Sequence, residues 1–568
     1  MNITWPAGET VPDPCPVCAT AGPHPVLLRA GPHVLLRCTG CTACFYQDRT
    51  PPDYADEVFS AMLQQLYLEQ GAGLFQITQA LSALDDSSID SVLDVGCGFG
   101  FPVDMAANVL GWRACGLDPS HHAREGARLL RADIRKEYLT ADSDLGEPFA
   151  LVMGSEVIEH IPDPYAFLAV LRRWVRPGGV LALSTPDAGA LSPALGTGSL
   201  VPMLSAGSHL ILYSTQAAEH LLRRAGFAHV HVRVEPGSNT VLAWASDRPL
   251  RFRADAHGRH IGLYRAYLRH LVDTAEPGTP LWNGGAGRLF ALDAISAEAG
   301  EAFGLWNRIA AAWRDRFGLD LARPARLDAA PEAEINALGL ERLAQRQPLN
   351  LAGVLLGRAV LANRLPGRDP RDVLDYARPA HIVATRTRRL VQGAGMDDLD
   401  LKQSAWRARM MLLDCMIELA PELQGELLAA LAQPSPGALA DGLDPPPEVV
   451  AARIAPFFTA MVHAVRYDEA LRLEPFLRNL DVLCAALAHD PGALLHGLFT
   501  IGVLRLNALH APGPAREAFQ RMADEASARL DQPEHAPHIA NFLDVARQHI
   551  AMATAGLPPP RKRARRTG

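Results

Sequence analysis

An apolar run that passes straight into three alternating glycines constrains this chain more than any other feature. It reads Val92-Leu93-Asp94-Val95-Gly96-Cys97-Gly98-Phe99-Gly100. Glycine at every second position lets the backbone bend sharply and approach a ligand with no Cβ in the way. A buried strand entering a ligand-cradling turn is therefore expected here. The spacing excludes two nucleotide-binding loops. G-x-G-x-x-G fails because Phe101 stands where the third glycine should be, and no Gly-Lys-Ser/Thr follows for a P-loop.

The next segments supply what a nucleoside-binding sheet needs. Ala114-Cys115-Gly116-Leu117 reads as a second strand and ends in Asp118, eighteen residues beyond Gly100. An acid about 20 residues past the turn can accept hydrogen bonds from both ribose hydroxyls. Ala150 to Gly154 reads as another buried strand, followed by Ser155-Glu156-Val157-Ile158-Glu159-His160-Ile161-Pro162-Asp163-Pro164. Arg176-Pro177-Gly178-Gly179 then turns into the strand Val180 to Ser184, and His209-Leu210-Ile211-Leu212-Tyr213-Ser214 leads into a helix closed by Ala225-Gly226-Phe227. In this order the motifs resemble class I S-adenosylmethionine-dependent methyltransferases, and the block after strand four resembles the ubiquinone-biosynthesis type of O-methyltransferase. One departure is Phe149-Ala150, where the family commonly has Phe-Asp.

The resemblance implies a Rossmann-like sheet of seven strands and S-adenosylmethionine as cofactor. Asp94, Gly96, Gly98, Gly100, Asp118 and Ser155 would line its pocket. Asp142 is the only candidate for the adenine contact, because the segment from Arg135 to Asp142 is too irregular to align. Proton acceptors would follow strands four and five, where His160, Glu156 and His209 stand. The acceptor is expected to be a small molecule or glycan intermediate, methylated at a hydroxyl oxygen. No Asn/Asp-Pro-Pro-Tyr/Phe motif follows strand four, which argues against methylation of nucleobase amines. Two other readings stand beside this one: a cofactor-binding scaffold without turnover, and a protein or nucleic-acid methyltransferase.

Five of nine cysteines fall between residues 15 and 44. Cys15, Cys18, Cys38 and Cys41 form C-x2-C-x19-C-x2-C, two knuckles able to close a tetrahedral thiolate cage around zinc. Such a site has no open position, so its role would be to fold a small module. Cys44 also completes a C-x2-C with Cys41 and is read as a buried packing residue. An iron-sulfur run is disfavoured by Asp48 at the place of a fourth cysteine. Sugar C-methyltransferases resemble this layout of a zinc module ahead of the catalytic domain.

The expected order is a zinc-ribbon-like module over 1–50, a helical cap over 51–86 and the methyltransferase domain over 87–245. Helical regions over 246–432 and 448–555 follow, flanking a proline-rich linker at 433–447, with a basic tail at 556–568. In the last of the helical regions Tyr467-Asp468-Glu469-Ala470 resembles part of a tetratricopeptide repeat, without a fixed period. The helical region is a place where a partner protein or a second copy could bind. Net charge is −8, and removing the five cations between Arg561 and Arg566 leaves about −13, a poor surface for tracking a phosphate backbone. The first residues have neither a basic nor an apolar leader segment, and no run reaches the ~20 apolar residues of a membrane span. A cytoplasmic location is the expectation.

Overall fold

The computed structural model describes residues 3–56, 60–70, 73–193, 195, 197–235, 238–296, 299–327, 332–394, 399–419, 480–481, 484, 491–529 and 536–555. The linker at 433–447, the segment Tyr467 to Ala470 and the basic tail lie outside the described residues. The chain divides into two compact units.

The first unit contains two sheets. In the larger one, β6 (Ser91–Val95), β7 (Arg113–Leu117), β8 (Ile134–Arg135), β9 (Phe149–Ser155) and β10 (Val175–Pro186) run parallel. β13 (Thr240–Ser246) is antiparallel to both β10 and β12 (His229–Val234). The order across the sheet is β12-β13-β10-β9-β6-β7-β8. All five residues of β6 are buried, as expected for a central parallel strand covered on both faces. Between β6 and β9 the order reverses, which opens a crevice at the carboxyl ends of the strands. The loops after β6 and β9 meet there: a Cβ on Gly96 would lie 2.3 Å from Val157 Cγ2.

Local chemistry sets the helix starts around this sheet. Asp163 caps α6 (Pro164–Trp174) by accepting from the N–H groups of Tyr165 and Ala166, with proline in the first turn, where its missing N–H does no harm. Ser120 caps α5 (His121–Leu130), and Ser214 caps α8 (Thr215–Arg224). α4 (Phe101–Asn108) starts directly from Gly100, whose φ is 79°.

The second sheet is built by the N-terminal segment. It contains β1 (Ile3–Thr4), β2 (Thr10–Val11), β3 (His24–Ala30), β4 (His33–Arg37) and β5 (Cys44–Tyr46). Its edge is completed from far along the chain by β11 (Ile211–Leu212), which pairs Ile211 with Phe45 and Leu212 with Cys44. Cys15, Val17, Cys38, Cys41 and Phe45 share one apolar cluster with Leu93, Val152, Leu210 and Ile211. The N-terminal module and the large sheet thus have a common core.

This unit also extends past the boundary expected at residue 245, taking in residues to Asp293, Phe303–Leu319 and Leu338–Asn350. Helix α9 (Ala256–Thr274) is tied in by buried polar contacts that no apolar periodicity announces. His260 reaches Ser82 Oγ at 3.1 Å and the Phe75 carbonyl at 2.8 Å, and Tyr267 donates to Asp104 at 2.9 Å. In the second unit, helices Leu351–Arg364, Pro370–Gly393 and Leu399–Glu418 pack together, as do Pro491–Asn507, Pro512–Ser527 and Ala536–Thr554. No described helix is long and apolar enough to cross a membrane.

Candidate functional site

Gly96, Gly98 and Gly100 all adopt the left-handed conformation, with φ of 74°, 54° and 79°. An L side chain is strained there. Leu117 at the end of β7 holds the turn through its carbonyl, which accepts from the N–H groups of Gly96 and Cys97. Asp118 follows directly. Its Oδ2 accepts from the Gly98 N–H at 2.9 Å, and its Oδ1 accepts from the Ser120 N–H and hydroxyl at 2.8 and 2.5 Å. The carboxylate expected eighteen residues away thus lies against the middle glycine.

Asp94 behaves differently. It is 2 % exposed, and its carboxyl makes no hydrogen bond among the described residues. Burial, then the charge of Asp118, pushes its pKa up to about 8. A buried carboxyl without partners is a place for a cation. The same group makes stability depend on pH. An unfolded Asp titrates near 4, so between about pH 4 and 8 the unfolded chain releases a proton that the native chain keeps, and stability falls as pH rises. Asp94→Asn is expected to flatten that fall by up to roughly 1.4 kcal/mol per pH unit, measured by urea denaturation of the ligand-free protein at pH 5, 6 and 7. An unchanged slope would show that Asp94 ionises normally.

Tyr67, from α1 (Ala61–Gln70), stacks on Phe99 at 5.0 Å and on His122 at 5.2 Å, and its hydroxyl stands 3.5 Å from where a Cβ on Gly98 would be. This aromatic lid was missed in the sequence because single aromatics in three segments form no motif. Asp142 is exposed in a turn where Thr140 and Ser143 bond to each other, and no bond ties it to the crevice. Ser155 is half-buried at the carboxyl end of β9.

Past β9 the chain brings the candidate bases together. Glu156 has φ of 56°, strained for a non-glycine residue, and its Oε1 accepts from Ser184 Oγ at 3.1 Å. Its side chain is open to solvent yet walled in by protein, and the resulting dehydration raises its pKa to about 7. His160 and His209 lie edge to face with centroids 4.7 Å apart. Burial lowers both, and with His160 beside it His209 falls to about 4. Glu159 is fully buried; burial and then the Glu156 charge raise it well above the usual carboxylate range. Thr185 donates to its Oε2 at 2.9 Å, while Oε1 has no hydrogen-bond partner and lies 4.0 Å from His160 Nε2. Tyr54, between the cysteine module and α1, places its hydroxyl 2.7 Å from His160 Nδ1. Nothing in the sequence marks Tyr54, which belongs to no motif.

The four cysteines also converge, with all sulfurs within 4.8 Å of one another. Cys15 Sγ is 3.7 Å from Cys41 Sγ, and Cys18 Sγ is 3.4 Å from Cys38 Sγ. Four thiolates at zinc-bond length in a tetrahedron would stand about 3.8 Å apart, so the cluster is compatible with zinc. Backbone N–H groups of Val17, Gly40 and Cys41 point at the sulfurs, as charged thiolates require. Cys44 faces a different apolar cluster, with Leu28, Tyr46 and Leu212.

Residues 67–232 match the family described as "Methyltransferase domain". The "Ubiquinone biosynthesis O-methyltransferase" of Cereibacter sphaeroides strain ATCC 17025 is 30% identical over 171 residues, covering 28% of this chain and 69% of that protein. The chain belongs to the class I S-adenosylmethionine-dependent methyltransferases. A protein of the same name from strain ATCC 17029 is 32% identical over 123 residues, covering 19% of this chain and 49% of that protein. The one from Rhizobium rhizogenes is 35% identical over 100 residues, covering 16% of this chain and 40% of that protein. The chain thus spans about half the length of the first curated relatives that it matches. The crevice described above falls within the matched residues.

Proposed function

We propose that this chain moves a methyl group from S-adenosylmethionine to a hydroxyl oxygen of a small-molecule or glycan-intermediate acceptor. The observation that carries the reading is a left-handed glycine turn flanked by two unlike carboxyl groups: Asp94, buried and unpartnered, and Asp118, fixed against the turn. When bound, S-adenosylmethionine supplies a methyl group on a positively charged sulfur, open to in-line displacement. Asp94 would face the cationic methionyl part, since a buried carboxylate gains most from a cation. Asp118 would accept from the ribose hydroxyls, and Gly96, Gly98 and Gly100 would let the backbone approach. Ser155 would line the wall at the end of β9. Tyr67, Phe99 and His122 would keep water from the sulfur.

On the acceptor side, Glu156 would take the proton: it follows β9 at the carboxyl edge of the sheet, and Ser184 orients its carboxylate. The acceptor oxygen forms its bond to the methyl carbon, its proton passes to Glu156, and the carbon–sulfur pair leaves with the sulfur. O-methylating relatives support oxygen as the atom methylated. Calorimetry with S-adenosylhomocysteine tests the donor site. The protein is expected to bind it, and Asp118→Asn to bind it about 10- to 100-fold more weakly, as the loss of charged hydrogen bonds predicts. An intact protein with no affinity would overturn the reading.

A further inference from the structure

The helix that carries the aromatic lid has little apolar surface to hold it. Of the ten residues of α1 only Leu68 and Glu69 are buried, and one of these is a carboxyl. A helix of that length is not stable by itself, so its place is decided by what grips it. Tyr67 and Glu69 are two positions apart and leave opposite sides of the helix, Tyr67 onto Phe99 and His122 and Glu69 into the helices that follow the sheet. Three donors meet the Glu69 carboxyl. Asn283 Nδ2, in α10 (Pro280–Ile295), donates to Oε1 at 2.8 Å, while the Leu349 N–H and Gln65 Nε2 donate to Oε2 at 2.6 and 3.3 Å. A carboxylate accepts from all three, whereas a protonated acid would turn its O–H against one of them. Asn283 is fixed in turn: Trp313 Nε1 donates to its Oδ1 at 2.8 Å, and Asn350 Nδ2 to its carbonyl at 2.7 Å. The main chain of α1 is gripped at the same end. Arg288 Nη2 donates to the Leu68 carbonyl at 3.1 Å, and α10 comes so close that a Cβ on Gly284 would lie 2.1 Å from that oxygen.

We propose that Glu69 is a positioning residue for the donor site: through it the helices beyond the sheet clamp α1 and hold Tyr67 over the glycine turn. The inference rests on the methyl-transfer reading, because it takes the crevice for the donor site. Its partners Asn283, Trp313, Leu349 and Asn350 all lie past residue 232, where the match to the methyltransferase family ends. The downstream helices thereby acquire a task at the crevice, since the lid that shields the sulfur is set by residues from their buried faces.

A double-mutant cycle separates positioning from plain stability. In calorimetry of the full-length protein with S-adenosylhomocysteine, Glu69→Gln and Tyr67→Leu are each expected to weaken binding about 10-fold. Because Glu69 acts through Tyr67, adding Glu69→Gln to Tyr67→Leu should cost less than about 2-fold more. Where urea denaturation shows Glu69→Gln to be unfolded, the same cycle with Arg288→Met decides: this half-buried grip should be worth about 3-fold alone and nothing once Tyr67 is replaced. Losses that multiply, to about 100-fold in the Glu69 and Tyr67 double variant, or full affinity in folded Glu69→Gln, would overturn the positioning role and leave the donor site standing. A folded wild type without affinity would overturn both.

Discussion

With zinc in the four-cysteine cluster, Cys38→Ser is expected to release it and, with it, to cost the placement of His209. Zinc bound by four thiolates contributes on the order of 10 kcal/mol to folding in small modules, and a segment of some 50 residues cannot replace that with apolar burial alone. Losing one thiolate therefore melts the module instead of loosening it. The damage should not stop there, because β5 is the strand to which β11 pairs, and the Tyr46 N–H donates to the Leu210 carbonyl at 3.0 Å. His209 stands two residues before β11. The expected result is about one zinc lost per chain by elemental analysis, a fall in melting temperature above 10 °C, and new protease cuts both before residue 50 and around residues 205–213. The Asp118 side of the crevice lies across the large sheet and should keep part of its affinity for S-adenosylhomocysteine. A variant that keeps its zinc, or loses it without any change near His209, would show that the two sheets are not coupled.

Gly126→Ala is expected to damage the crevice from the opposite side. Helix propensity alone predicts a gain near 1 kcal/mol when alanine replaces glycine inside α5. Packing predicts the reverse, since the new Cβ would lie 2.1 Å from the Phe99 carbonyl oxygen, a backbone atom within the glycine turn. Flexible side chains can yield, but a carbonyl held in a left-handed turn cannot. Overpacking of this kind costs about 3 kcal/mol, so the clash wins and the net loss is about 2 kcal/mol. Because relief must come from moving either α5 or the turn, weaker donor binding should accompany the lost stability. Gly262→Ala in α9 is the control: nothing lies within 4 Å of its Cβ, so only the propensity gain should appear. Denaturant midpoints that rise for both variants would refute the packing argument.

How far the sequence discloses this molecule depends on the range of the interactions involved. The glycine turn, Asp118 and the strand before it are legible because each is dictated by a backbone need or by a spacing along the chain. The cysteine knuckles are legible for the same reason, their two sulfurs being three residues apart. The sheet order follows from the motif order once the resemblance is recognised. Glu159 is different: it stands in plain view in Glu156-Val157-Ile158-Glu159-His160, yet only the fold shows that it is buried while Glu156 stays exposed. The positive φ at Glu156 accompanies that reversal, and no residue type announces it. Tyr54 and Tyr67 reach the site from outside the motifs, and His260 and Tyr267 tie α9 to the first unit through single polar contacts. Isolated long-range contacts leave no periodic trace, which is why a boundary drawn at residue 245 separates what the structure joins.

The strand that β11 lends to the N-terminal sheet also decides where this protein can be cut. A chain beginning at residue 51 would leave Ile211 and Leu212 with an open edge, and would bare Leu200, Leu204 and Leu210 on the side that Leu28, Leu35 and Phe45 now cover. An uncovered apolar edge of that kind invites pairing with a second chain. The shortest piece that behaves well in solution should therefore carry the cysteines, even in work concerned only with methyl transfer.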